Sequence, residues 1–287
     1  MEREEKTFEE IEFISTSGVY KTPFTLIVLL QFYMGLILTI LLNLWYINCL
    51  YYFATGSLIY PMDVINEWWF FWLLILLLPL NIYGNIFLFV FSVIMFSAGI
   101  MKLLNVRHPP REGIFKKGTK DWKYMHRRFW TAYFPIWLAR VTPLPWIDIV
   151  CYRLFGVKIG KNVVAYEGYI DPVEKFIEIG DFSMTSLNIC IFSHLIYHDK
   201  VLIRKVKIGK ACVIGPQSIV TPGTIMKDGA VLGANSYTGI GQELEGELIH
   251  VGTPVSINFP IQSLEESLEK VDKIKKTDII SNNGGRN

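Results

Sequence analysis

Two of the chain's five histidines, His194 and His198, stand in the polar run SHLIYHDK, with Asp199 directly after the second. An imidazole with an ordinary pKa near ~6.5 takes a proton at neutral pH and can give it back, so either ring could serve as a general base. A buried carbonyl or carboxylate on the other ring nitrogen would fix the tautomer, and Asp199 is the carboxylate nearest in sequence to both rings. A metal centre is the competing use of histidine. His194, His198 and His250 are the candidate ligands, but an H-x3-H pair in a loop lacks the fixed geometry it has on a helix, and His250 lies far downstream. No metal is therefore expected. His108 and His126 fall in an aromatic, basic stretch and read as interfacial rather than catalytic. Lys205, Lys207 and Lys210 could meet phosphates, although solvated surface is the ordinary place for lysine. No Walker or dinucleotide glycine loop occurs. The 4 cysteines have no CxxC spacing, which argues against a zinc knuckle or a disulfide framework.

The element that must carry these residues is a repeat. From Ile208 the chain reads IGKACV, IGPQSI, VTPGTI, MKDGAV, LGANSY, with an aliphatic residue at the head of every hexad. IGKNVV begins at Ile159, and a second in-phase set starts at Val173, Ile179, Thr185 and Ile191, with a break near Asp171 and Pro172. A six-residue period makes one short strand and a turn per hexad. Three hexads then close a triangular coil, and stacked coils hide the aliphatic column. Small residues in the fifth slot (Cys212, Ser218, Thr224, Ala230, Ser236) suit a tight interior, and glycine in the second slot is expected to permit the turn. The period is interrupted between Ile191 and Leu202, where about five residues must loop out around SHLIYHDK. Excursions from a regular scaffold are where sites are built.

The N-terminal half is of another kind. The whole chain is 51% hydrophobic with a mean hydropathy of +0.33, high for 287 residues in water. No charged residue falls between Phe24 and Met62 or between Trp68 and Met101, and each stretch exceeds the roughly 20 residues that cross a bilayer. Pro79, Asn81 and Gly84 should bend or interrupt the second, which reads as one long bent helix or as a crossing helix with a re-entrant piece. A hairpin of two spans follows. Lysine and arginine crowd after the second span, from Lys102 to Arg128, and are absent between the spans, so both ends should face the cytoplasm. The expected organisation is a cytosolic arm (1–23), a transmembrane region (24–104), an interfacial basic and aromatic segment (105–155), a β-helix (156–257) and a C-terminal helix with a disordered tail (258–287). The net charge of +2 is too small to point to nucleic acid.

Residues 156–257, with the hexads and the closing VGTPVSI, resemble the left-handed parallel β-helix of hexapeptide-repeat acyltransferases. The membrane half and the junction RLFGVKIGKNV are similar to the membrane-bound terminal region of some nonribosomal peptide synthetase-like proteins. The resemblance implies acyl transfer from acyl-CoA, acetyl-CoA above all, with His194 as the base; His198, four residues on, stays open as the base, a substrate contact or an ordinary loop histidine. It places the donor along the groove between coils at Gly215, Ser218, Gly233, Ala234 and Ser236, and implies a homotrimer. The asparagine that often accompanies the family's histidine has no counterpart here, since the sequence reads AYEGYIDP, with Tyr166 or Glu167 in that region. An acceptor at the membrane surface, small or lipid-linked, follows from the anchor. A catalytically silent trimeric scaffold on the membrane is the reading of a different class.

Overall fold

The computed structural model describes residues 24–59, 65, 67–144, 146–165, 168–173, 175–261 and 266. Glu167, Tyr166, the N-terminal arm and the expected C-terminal helix lie outside the described residues, Glu266 apart. Two long helices, α1 (Phe24–Thr55) and α2 (Trp68–Arg107), pack on each other. Both are long and apolar enough to cross a membrane. Pro79 lies inside α2, so the second stretch is one helix of 40 residues. Gly35 is where the two helices meet closely: a Cβ there would come within 2.7 Å of Val93 and Phe89. Polar side chains add to the join. The buried Gln31 donates to Ser97 Oγ at 2.9 Å, Asn43 and Asn85 bond to each other, and Tyr46 Oη donates to the carbonyl of Leu74 at 2.6 Å.

A short strand, β1 (Gly113–Lys116), then leads to α3 (Lys120–Val141) and α4 (Ile147–Leu154). Thr119 caps α3 by accepting from Trp122 N–H at 3.4 Å, and Asp121 in the first turn suits the positive end of the helix. The segment read as interfacial is therefore mostly helix. Gln31 reaches from α1 to the carbonyl of Thr131 at 2.7 Å, and the buried Arg128 donates to Asn105 and to the carbonyl of His108 at the end of α2.

The rest of the chain is built of short strands, most of them in three parallel stacks. The first stack joins β2 (Lys158–Ile159), β5 (Ile177–Ile179), β10 (Val206–Ile208), β13 (Ile225–Met226) and β15 (Glu243–Leu244). The second joins β3 (Val164–Ala165), β6 (Met184–Thr185), β11 (Val213–Ile214), β14 (Val231–Leu232) and β16 (Leu248–Gly252), and ends on the antiparallel β17 (Val255–Pro260). The third joins β4 (Gly168–Ile170), β7 (Ile189–Ile191) and β12 (Ile219–Val220). Register puts Ile159, Ile179, Ile208, Met226 and Leu244 in one column and Ile214, Leu232 and His250 in another. The hexad phase thus runs past Leu232 to Leu244 and His250. The fifth-slot residues Cys212, Ser218, Thr224, Ala230 and Ser236 are all buried. The ends are closed by the buried Tyr152 of α4 and Phe155 just after it, beneath the first coil, and by the β16–β17 hairpin, whose second strand is largely exposed, beyond the last.

The second-slot glycines do not make the turns. A Cβ on Gly180 would meet the backbone of Gly209 at 2.6 Å, and one on Gly215 would meet Ala234 N at 2.7 Å. Glycine is needed there because the next coil passes too close for a side chain. The turns fall at the fourth slot, where Asn162, Phe182, Ala211, Gln217 and Asn235 take φ between 51° and 61° and Gly223, Gly229 and Gly241 between 70° and 85°. Leu202 does not resume the hexads either. In the regular run from β10 to β14 only four residues separate one strand from the next, whereas β7 ends at Ile191 and β10 opens at Val206. The excursion is thus longer than the loop expected from the sequence, and it is an ordered antiparallel hairpin, β8 (His194–Tyr197) with β9 (Lys200–Ile203), onto whose edge β1 adds. Val173, counted as a hexad head, instead packs outside the coil with Phe176, Met125, Val201 and Ile203.

Candidate active site

His194 opens β8 at the point where the chain leaves the coil. Register between β4 and β7 aligns Ile170 with Ile191, so Asp171, the next residue of the lower coil, lies beneath the start of the excursion. Its backbone N–H donates to Ile191 O at 2.9 Å. The Asp171 side chain is buried and collects three donors on Oδ2: His194 Nδ1 at 2.5 Å, Ser193 Oγ at 2.6 Å and Ser193 N at 3.1 Å. Burial pushes the Asp171 carboxyl up, but the charge and hydrogen bonds of His194 and Ser193 outweigh it and hold the group below its ordinary range. His194 answers in kind. Burial pulls the imidazole down, and the Asp171 charge and hydrogen bond bring it above its ordinary range. A ring that donates from Nδ1 to a carboxylate keeps Nε2 as the proton-accepting nitrogen.

Asp199, expected from sequence to orient a ring, does not do so here. It lies in the exposed β8–β9 turn, where its carbonyl accepts from Lys117 N at 2.5 Å. His198 is exposed in the same turn with φ of 50° and packs edge-on against Tyr197. His250 lies in the coil with Nε2 on the carbonyl of Glu245 at 2.8 Å. The structure therefore does not bring the three histidines together, and among the described residues no three His, Cys, Asp or Glu groups converge as metal ligands.

The face over His194 comes from the N-terminal helical half. Trp122, His126, Phe129 and Tyr133 recur at helical spacing on α3. Phe129 meets the His194 ring edge-on at 5.9 Å and Tyr169 at 6.4 Å, while Trp122 packs on the cluster of Val201 and Ile203 in β9. Phe192, just upstream of the hairpin, stands 6.2 Å from the His194 ring. His126, read from sequence as interfacial, is buried here. Burial holds its imidazole below the ordinary range, its Nδ1 bonds the carbonyl of Trp122 at 2.9 Å, and it feels the charge of His194.

The nominated donor positions fall along one corner of the upper coils. Ser218 and Ser236 point inward, their hydroxyls donating to the carbonyls of Gly233 at 2.7 Å and Ala234 at 3.3 Å. Gly215 is buried, Gly233 half-buried and Ala234 exposed. Lys205 pairs with Glu178 at 2.7 Å, whereas Lys207 and Lys210 are exposed. Residue type and spacing alone do not mark His126 or Tyr169 as site residues. A signal for Asp171 was present, since a carboxylate at the break before Pro172 stands one coil below SHLIYHDK.

No family model matches the chain. It is 28% identical over 139 residues to YvoF of Bacillus subtilis, a protein named provisionally as an acetyltransferase, covering 47% of this chain and 79% of that one. Among solved structures it is similar to a maltose O-acetyltransferase from Clostridium difficile, at 19% identity and a TM-score of 0.41 over 53% of this chain and 94% of the other. It is also similar to a galactoside acetyltransferase in complex with coenzyme A, at 16% identity and a TM-score of 0.41 over 55% and 90%.

Proposed function

We propose that the protein is a membrane-anchored acyltransferase that moves an acyl group, acetyl above all, from acyl-CoA to a hydroxyl or amine acceptor at the membrane surface. The single observation that carries this is the buried His194–Asp171 pair at the base of the β8–β9 hairpin. A buried ion pair costs desolvation that apolar packing would avoid, so its presence in a partly enclosed site favours a chemical role. His194 Nε2 takes the acceptor proton as the oxygen or nitrogen forms its bond to the thioester carbonyl carbon. The C–S bond then breaks, and the proton passes from the imidazolium to the departing thiolate, leaving the acylated acceptor and free coenzyme A. Asp171 positions the ring and stabilises its protonated form.

The family resemblance and the acetyltransferase names among the similar proteins support the reaction class. The stack is assigned as left-handed and the assembly as a homotrimer on the same resemblance, with the donor along the corner marked by Gly215, Gly233 and Ala234. Anchoring rests on α1 and α2, of whose most apolar windows only 11% and 39% is buried, far less than the core helix of a soluble protein would bury. Both chain ends are assigned to the cytoplasm from the basic residues after α2. Membrane lipids are then neighbours of the site, and a lipid-linked or amphiphilic acceptor is the one that anchoring concentrates.

The test is calorimetric binding of acetyl-CoA to the full chain purified in detergent, followed by thiol release with amphiphilic alcohols and amines. Micromolar binding is expected, with His194→Ala keeping that affinity while turnover falls about 10²–10⁴-fold. A folded oligomer that binds no acetyl-CoA would leave the catalytically silent scaffold as the better reading.

A further inference from the structure

His126 Nε2 and Tyr169 Oη are both buried and, among the described residues, have no hydrogen-bond partner. A buried polar atom left unpaired costs about 1–3 kcal/mol, so each such atom in a native fold calls for a reason. These two share a neighbourhood with His194. Phe129 contacts both the His194 ring and the Tyr169 ring, and His126 lies one helical turn before Phe129 on the same face of α3. The hydrogen-bond sense at His126 is fixed. Nδ1 donates to the carbonyl of Trp122, so Nε2 of the neutral ring presents a bare lone pair. Burial favours that neutral form.

We propose that His126 is a substrate-binding residue that accepts a hydrogen bond from a second hydroxyl or amine of the acceptor, with Tyr169 as the companion polar group, so that the enzyme takes diols or amino alcohols on an apolar body. This rests on the transferase reading above and names the chemical class of its acceptor. The two imidazoles have separate tasks: His194, paired with a carboxylate, removes the proton from the reacting group, while His126, without one, holds the group beside it. The rings of Trp122, Phe129 and Phe192 supply the apolar wall. A site built to pair a second hydroxyl discriminates against the analogue lacking it, because the buried lone pair is then left unmatched.

The experiment compares 1,2-octanediol and 2-amino-1-octanol with 1-octanol as acceptors for the full-length protein in detergent, following thiol release from acetyl-CoA and, separately, calorimetric binding of each probe in the presence of coenzyme A. The two-donor probes are expected to exceed octanol at least tenfold in kcat/KM and in affinity. His126→Phe, which removes the lone pair while keeping a ring, should erase that preference through KM and leave the affinity for acetyl-CoA within about twofold. His126→Gln, whose amide oxygen can accept, should restore part of the preference. Equal use and equal binding of octanol and octanediol by the wild type would overturn the proposal, as would a preference that survives in folded His126→Phe. Loss of acetyl-CoA binding in the wild type would instead remove the transferase reading on which it rests.

Discussion

Burial alone would carry the His194 imidazole below its ordinary range, and it is the Asp171 carboxylate that lifts it above. The reactive form is the neutral base, so kcat/KM should climb with pH through that raised value and level off above it. Replacing Asp171 with asparagine removes the charge and leaves burial in control. The inflection should then move to lower pH while the plateau falls, because a neutral amide no longer stabilises the imidazolium. A pH–rate profile of thiol release for wild type and Asp171→Asn checks both, and an inflection that stays in place would show that the pair does not set the titration. His198 stands exposed in the β8–β9 turn, away from these contacts. His198→Ala is accordingly expected to keep its rate within about threefold, the ordinary range for a surface change of small energetic effect.

At the scale of the element, glycine and non-glycine positions exchange the roles that residue type alone suggests. A Cβ on Gly209 would stand 2.8 Å from Asp228 N in the next coil, so Gly209→Ala must push neighbouring coils apart and should cost about 1–3 kcal/mol. Ala211, two residues on, already sits at φ of 51°, where an L side chain is disfavoured, and Ala211→Gly should be neutral or stabilising. Thermal unfolding of the two variants separates close approach from turn geometry, and a larger loss in Ala211→Gly would reverse this assignment. In the helical half, Gly35→Leu drives a side chain into Phe89 and Val93. Overpacking at that crossing should lower the melting temperature and loosen the α1–α2 join, measurable as faster proteolysis in detergent.

Across the whole molecule, the N-terminal helical half and the coil share one packed interior, and the proposed site draws on both. One buried cluster runs from Val90, Ile94 and Met101 of α2 through Ala132 and Ile136 of α3 to Ile170, Ile191 and Val220 of the coil. β1 and the aromatic face of α3 cover the hairpin that carries His194. The coil separated from residues 24–155 should therefore lose the pH-dependent activity even if it folds, since Phe129 and His126 leave with α3. Outward-facing Trp68, Trp72 and Leu76 of α2 are 73%, 64% and 75% exposed, an apolar surface that water would not tolerate at this extent. On the proposed topology, protease added outside intact cells should leave the C-terminal domain uncut. Cleavage there without lysis would place the site on the opposite side.

The hexads from Ile208 and the two uncharged stretches specify the coil and the two long helices by themselves, because a six-residue aliphatic period and a bilayer-length apolar run each admit few structures. The same residues mark His194 as leaving the coil. Its partner was decided only by tertiary structure: stacking adds a whole coil between contacting residues, so Asp171 reaches His194 across register, while the adjacent Asp199 turns away into solvent. His126 is brought to the site only by the docking of α3 against the excursion, and Tyr169 only by the stacking of β4 against β7. A helix's own periodicity states which residues share a face, but not what that face will meet.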